Sequence, residues 1–197
     1  MWILTLSLLV AATSHAEPLV TVGMPTYSGS GCPQGSVDAV FVPDYSAVSI
    51  GFSELTTQAL PRERTHLGCK LNIPLKVEKG VRAIIEDSDF EGFMSLPSKA
   101  FADFFAVYRL YQGSRLRGWD VVSETGRGPY DGSFFVEETH KDRLISPCGG
   151  NFSLDLDIGM GIRNQSRTEA ASFTIDSTNL AAYEGSMYFY VRTEKCK

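Results

Sequence analysis

The chain carries none of the short motifs by which many enzymes can be read from sequence. Its 197 residues contain no G-x-S-x-G elbow, no H-E-x-x-H, no Walker loop and no G-x-G-x-x-G. Histidine is scarce, at three residues: His15, His66 and His140. There is no C-x-x-C pair and no histidine at finger-like spacing, which argues against a zinc site. Positive charge is thin and scattered. With 18 Lys and Arg against 23 Asp and Glu, the net charge is −5, and the densest basic spot is Arg115 with Arg117. A nucleic-acid binder shows a basic patch or stripe, so that class is excluded. After the first sixteen residues no segment approaches the ~20 apolar residues that a membrane helix needs.

What is present begins with the opening stretch MWILTLSLLVAATSHA. The apolar run from Trp2 to Ala12 ends in Ser14-His15-Ala16, small residues at the two positions a signal peptidase reads. We read residues 1–16 as a secretory signal and residues 17–197 as one domain, large enough to bury about two-thirds of its unfolded surface. No Lys or Arg precedes the apolar run, which is unlike bacterial signals and points to a eukaryotic host. Four cysteines, Cys32, Cys69, Cys148 and Cys196, are an even set for an oxidising compartment and predict two disulfides. Three pairings are open. The sequential one, Cys32–Cys69 and Cys148–Cys196, closes the shortest loops and is the one we favour.

The rest of the chain is written largely in period two. VDAVFV (37–42) and SAVSIGF (46–52) flank Pro43, Asp44 and Tyr45, the signature of a hairpin. In CKLNIPLKV (69–77), Leu71, Ile73, Leu75 and Val77 face one way, and Pro74 on the other face predicts an edge strand or a bulge. KGVRAIIEDSDF (79–90) supplies a turn and another strand. Within 97–111 the aromatic residues fit helical spacing. Phe104, Ala106, Tyr108 and Leu110 also alternate, and their aromatic density favours a strand from Phe104 to Tyr111. Further strands are expected at 117–123, 133–140, 152–163, 171–176 and 186–195, separated by Gly, Pro, Asp and Ser clusters. The fold class predicted is all-β: a single antiparallel β-sandwich, jelly-roll-like, stapled by two disulfides.

Candidate functional residues are few. In FSLDLDIGMGIR (152–163) the odd-beat residues are apolar, while Asp155 and Asp157 project together on the other side, ~7 Å apart along the backbone. Two carboxylates so placed could ligate calcium or act as acid and base on a sugar, yet a strand with one buried face must wet the other. The wet face is the reading taken. Gly159 and Gly161 would leave the far end of that face bare. In FFVEETH, alternation puts Glu138 and His140 on one face, a weak metal or acid/base pattern that an exposed polar face explains better. The acids of EDSDFE (86–91), Asp87 among them, lack the spacing and the Gly of an EF-hand loop. Trp119, Tyr108 and Tyr111 are candidates for stacking on sugar rings, though such residues lie more often in a core. Asn151-Phe152-Ser153 and Asn164-Gln165-Ser166 are N-glycosylation sequons.

Five segments occur in an order that resembles a known family. They are GSGCPQGSV (29–37), R-x-x-x-x-C-x-L-x-I-x-L from Arg64 to Leu75, GPYDGSF (128–134), SPCGGNFSLDLDI (146–158), and Y-V-R-x-x-x-C from Tyr190 to Cys196. Together they are similar to the domain of unknown function 4360 family, small secreted proteins of fungi and some bacteria. The resemblance covers nearly all of residues 17–197 and departs from the family between about Pro97 and Arg117. It implies one secreted β domain whose four cysteines are structural, and it carries over no activity and no cofactor. The function expected is a non-enzymatic extracellular binding or cell-surface module with a glycan or protein ligand, needing no cofactor or metal. The alternative is a polysaccharide hydrolase or lyase using acids among Asp155, Asp157, Glu138 and Asp87. Processing before Glu17 is directly testable: N-terminal sequencing of the secreted protein should begin EPLV, and a start at Met1 would refute the signal.

Overall fold

The computed structural model describes residues 19–41, 47–175 and 186–196. Among these residues there is no helix, hence none long and apolar enough to cross a membrane. The described residues form thirteen strands: β1 (Val20–Val22), β2 (Thr26–Ser28), β3 (Val37–Phe41), β4 (Ala47–Phe52), β5 (Thr56–Ala59), β6 (Arg64–Val77) and β7 (Val81–Leu96). They continue with β8 (Ala100–Gln112), β9 (Arg115–Arg127), β10 (Tyr130–Ile145), β11 (Gly150–Asn164), β12 (Ala171–Thr174) and β13 (Ser186–Lys195).

Two antiparallel sheets result. The first, of six strands, runs β1–β6–β11–β8–β9, with β2 sharing the β1 edge of β6. The second, of seven, runs β3–β4–β13–β7; β12 follows β13 along one edge of β7 and carries β5, and β10 takes the other edge. The fold is therefore the expected disulfide-stapled antiparallel sandwich. The segment ambiguous between helix and strand is β8, pairing with β11 over residues 100–111 and with β9 over 101–112. Strands β3 and β4 pair as a hairpin, and its turn, 43–45, lies outside the described residues.

The sheets face each other through the apolar beats of their strands. Phe152, Leu154, Leu156, Ile158, Met160 and Ile162 of β11 are all buried, as are Leu71, Ile73, Leu75 and Val77 of β6. Burying each such side chain contributes roughly 1.5–3 kcal/mol. Across the layer Phe90 of β7 meets Phe104 of β8 edge-on at 4.6 Å between ring centroids. That geometry suits the ring quadrupoles.

Pro74 corrects one expectation. It lies in an interior strand, not an edge, and the register of β6 with β11 runs unbroken through Pro74↔Ser153. Its carbonyl accepts from the N–H of Gly23 in the gap between β1 and β2, where neither pairs with β6. The nitrogen faces the same gap, so the missing donor costs no bond to β11.

Cys32 bonds Cys69 and Cys148 bonds Cys196, the sequential pairing, and none of the four is free. Loops of 37 and 48 residues are worth roughly 4 kcal/mol each by the chain-entropy estimate. Cys32 and Cys69 are buried while Cys148 is exposed. A thiol titration under denaturing, non-reducing conditions should find no reactive thiol. Graded reduction of the folded protein should open Cys148–Cys196 first and lower the melting temperature by several degrees per bridge; peptide mapping of the first thiols released checks the order.

Candidate functional site

The outer face of the six-stranded sheet carries four of the sequence candidates: Asp155, Asp157, Trp119 and Tyr111. Because every strand alternates, the residues opposite the buried rows form a second surface, and the register decides which of them are neighbours. Two rows cross the sheet. The first reads Thr26, Asn72, Asp155, Arg109, Trp119, each paired in register with the next across β2, β6, β11, β8 and β9. The second reads Ser28, Lys70, Asp157, Val107, Val121. Five strands at ~4.8 Å spacing give each row a length of about 19 Å.

The middle of both rows is an open groove of about 460 Å³, lined among others by Tyr27, Lys70, Asn72, Arg109, Asp155 and Asp157. Asn72 Nδ2 donates to Asp155 Oδ1 at 2.5 Å, which fixes one carboxylate oxygen. The side chains of Lys70, Arg109 and Asp157 make no hydrogen bond or ion pair with any described residue. Two acids and two bases thus leave a charge-balanced groove with donors and acceptors to spare. At one end Trp119 is 59% exposed and Val121 46%.

The two glycines of β11 do not leave the face bare. A Cβ at Gly159 would stand 2.2 Å from the Phe105 ring, and one at Gly161 would meet the Asp103 carboxylate at 3.0 Å. The absent side chain of Gly159 lets Phe105 lie across the strand, where it stacks with His66 at 6.4 Å. Both glycines are buried as a result. The face is therefore a polar groove with an indole at one end and a phenyl–imidazole pair at its side.

Other candidates fall elsewhere. Tyr108 is buried between the sheets, so it offers no stacking surface; burial pushes its hydroxyl well above the usual value. Tyr111 is half-buried on the outer face, opposite Ser153. Glu138 and His140 do share a face, but it is the inward one, continuing the buried row Phe134 and Val136. Glu138 is half-buried there and His140 fully buried, so an exposed polar face is corrected to an interior one. Asn164 is buried and pins the loop after β11: its amide donates to the carbonyls of Ala59, Leu60 and Glu169 and its oxygen accepts from the N–H of Ser166. A glycan on that nitrogen is incompatible with the fold, whereas Asn151 is exposed. Asp87 sits on the outer face of the other sheet, opposite Thr139. Among the described residues no group of three or more His, Cys, Asp and Glu could hold a metal ion.

Sequence reasoning missed Asp120. It is 1% exposed, and its carboxylate accepts from His140 Nδ1 at 3.1 Å, Arg143 Nη1 at 2.5 Å and the Val121 N–H at 2.9 Å. Burial raises its pKa, but the three bonds outweigh that and hold it below the usual carboxylate value. The alternation of GWDVV places Asp120 inward with Val122, and that was the available signal.

Comparison with known proteins adds the following. The model of a family described as Domain of unknown function (DUF4360) matches residues 19–196. An uncharacterized secreted protein of Arthroderma benhamiae (strain ATCC MYA-4681 / CBS 112371) is 25% identical over 176 residues, covering 87% of this chain and 69% of that protein. Among solved structures, TmCBM61 in complex with β-1,4-galactotriose aligns with a TM-score of 0.31 at 14% identity, over 86% of this chain and 88% of that one. The carbohydrate-binding module TmCBM27, described for specific mannan recognition, aligns with a TM-score of 0.28 at 14% identity, over 90% and 99%.

The double variant Asp155→Asn/Asp157→Asn should shift stability by well under 1 kcal/mol, because both carboxylates lie on the outer face. Leu156→Asp, between them but buried, should unfold the protein by placing an unpaired carboxylate in the apolar layer. Millimolar calcium should leave the wild-type melting temperature unchanged; a rise that the double variant lost would make the pair a metal site.

Proposed function

This chain belongs to the DUF4360 family, whose model spans residues 19–196, and from that premise we propose that it is an extracellular, non-enzymatic glycan-binding β-sandwich. The observation that carries the reading is the first transverse row. A saccharide laid across the strands from β2 to β9 meets in turn a hydroxyl, an amide, a carboxylate, a guanidinium and an exposed indole. Sugars present hydroxyls that both donate and accept, together with flat C–H faces. The two rows together offer acceptors in Asp155 and Asp157, donors in Lys70, Arg109 and Asn72, and an apolar plate in Trp119. Equal numbers of acidic and basic groups in the groove favour a neutral saccharide over a polyanion. Two disulfides and the secreted relative support an extracellular setting.

A second reading, hydrolase or lyase, draws on the same groove, since it holds two carboxylates beside two bases. Glycoside hydrolysis sets its two carboxyl groups on opposite sides of the scissile bond. Here both rise from one strand, two residues apart, on one floor. A chain crossing the groove lies over both acids rather than between them, so binding without cleavage is the better fit.

A polysaccharide array tests the two readings together when run beside a reducing-sugar release assay on the same polymers. Binding to a neutral polysaccharide with no release is expected, and release at a rate above the protein-free control would turn the assignment to the enzyme. Trp119→Ala and Arg109→Ala should each weaken binding about tenfold while leaving the melting temperature within a degree or so of wild type.

A further inference from the structure

Trp119 and Val121 end the two rows, and the residue between them points the other way. Asp120 reaches through the edge of the first sheet to His140 and Arg143 on β10, the outer strand of the second. Strand β9 needs such a hold. Its ladder joins β8 alone and carries a bulge at Leu110/Tyr111. Beside Asp120 the backbone of Gly118 rests so closely on β10 that a Cβ there would stand 1.9 Å from the carbonyl oxygen of Arg143. The same carboxylate also takes the N–H of Val121, so the bridge grips the main chain of the residue it positions.

We propose that Asp120 is the positioning residue of the glycan face: bound to His140 and Arg143, it sets the edge strand so that Trp119 and Val121 complete the two rows, and its protonation releases them. The proposal regulates the site described above and rests on the reading of that site as a glycan surface.

The bridge depends on the ionised form of Asp120. An ionised carboxylate only accepts, so Nδ1 of His140 carries the hydrogen of that bond. His140 is buried and packs edge-on against the Tyr108 ring of β8 at 4.6 Å. The ionisable groups around the cluster are Arg143 and Glu138 on β10, Tyr108 on β8 and Asp89 on β7. Of the three residues in the bridge, Arg143 is the accessible one, its side chain 55% exposed. Because Asp120 titrates below the usual carboxylate value, the stability from its bonds is complete above about pH 4 and is lost as pH falls through the folded value. The edge therefore holds through mild acid and lets go in strong acid. Removing the Arg143 bond should raise that threshold.

The test reads the edge strand directly. Iodide quenching of Trp119 fluorescence, taken as the difference from Trp119→Phe, is followed from neutral pH downward without sugar. Binding of soluble β-glucan, mannan and galactan is measured over the same range. In Asp120→Asn we expect a cooperative melt, altered Trp119 quenching at neutral pH and several-fold weaker binding. In Arg143→Gln, which removes only the exposed partner, the acid limb of both profiles should move to higher pH while Asp155 and Asp157 stay intact. Should Asp120→Asn fail to fold, Arg143→Gln still decides the matter. A folded Asp120→Asn with wild-type quenching, or an Arg143→Gln profile that superimposes on wild type, overturns the proposal. If the wild-type protein binds none of the three polysaccharides while the quenching profile of Arg143→Gln is still shifted from wild type, the glycan reading is refuted and the bridge upheld.

Discussion

The dry layer between the two sheets, and above all the inward row of β11, sets the terms for everything outside it. β11 lies mid-sheet, paired with β6 along one edge and β8 along the other, so its backbone is satisfied on both sides. Its six apolar beats leave one face for water. Side chains repeat every two residues, so a slip of one would carry Leu154, Leu156 and Ile158 to solvent and Asp155 and Asp157 into the core. The register is held by that penalty. Once it is held, the cross-strand neighbours of the two acids follow without further choice: Asn72 and Lys70 on one side, Arg109 and Val107 on the other.

The proposed site is thus a by-product of burial, and its furnishing is what supports that proposal. A face that merely stays wet needs only scattered charge. This one carries Lys70, Arg109 and Asp157, unpaired among the described residues, around a groove, a tryptophan more than half exposed, and a phenyl ring laid over a glycine that makes room for it. Leaving Trp119 in water forgoes most of the gain its burial would bring, and no described neighbour covers it. The disulfides are not part of these rows, although Cys69 is the chain neighbour of Lys70. Cys32–Cys69 ties the segment before β3 to the centre of β6, and Cys148–Cys196 ties the β10–β11 turn to the end of β13. Both cross-link segments that hydrogen-bond ladders alone would hold less firmly.

The polar interior is the costlier feature. Asp120 and His140 are both buried, and near them Ser88 and Tyr108 bring two more polar side chains into the layer. Apolar replacements of similar volume would often be neutral or stabilising at such a place. A bridge between the outer strands of two sheets does something an apolar contact does not: it specifies one geometry, through directed bonds, for a strand whose ladder joins β8 alone.

The sequence by itself determined the class of fold, the apolar rows, the even cysteine set and the outward side of Asp155 and Asp157, because alternation and composition are local and each strand states its own pattern. It also holds the clue to one correction: Glu138 and His140 share a face, and Phe134 and Val136 on the same beat mark that face as inward. Only the tertiary structure decided the rest. Asn164, a sequon by its spelling, is a loop pin because three carbonyls from two other segments converge on its amide. Tyr108 is core rather than platform because Phe90 and His140 pack on its ring. Pro74 is interior because its chain neighbour breaks where its nitrogen faces. Asp120 finds His140 twenty residues away and on the other sheet, and Arg109 finds Trp119 and Asp155 only through the register of three strands. Period two assigns each residue a side. Which partners wait on that side depends on how distant strands align, and that is settled when the whole buried layer closes.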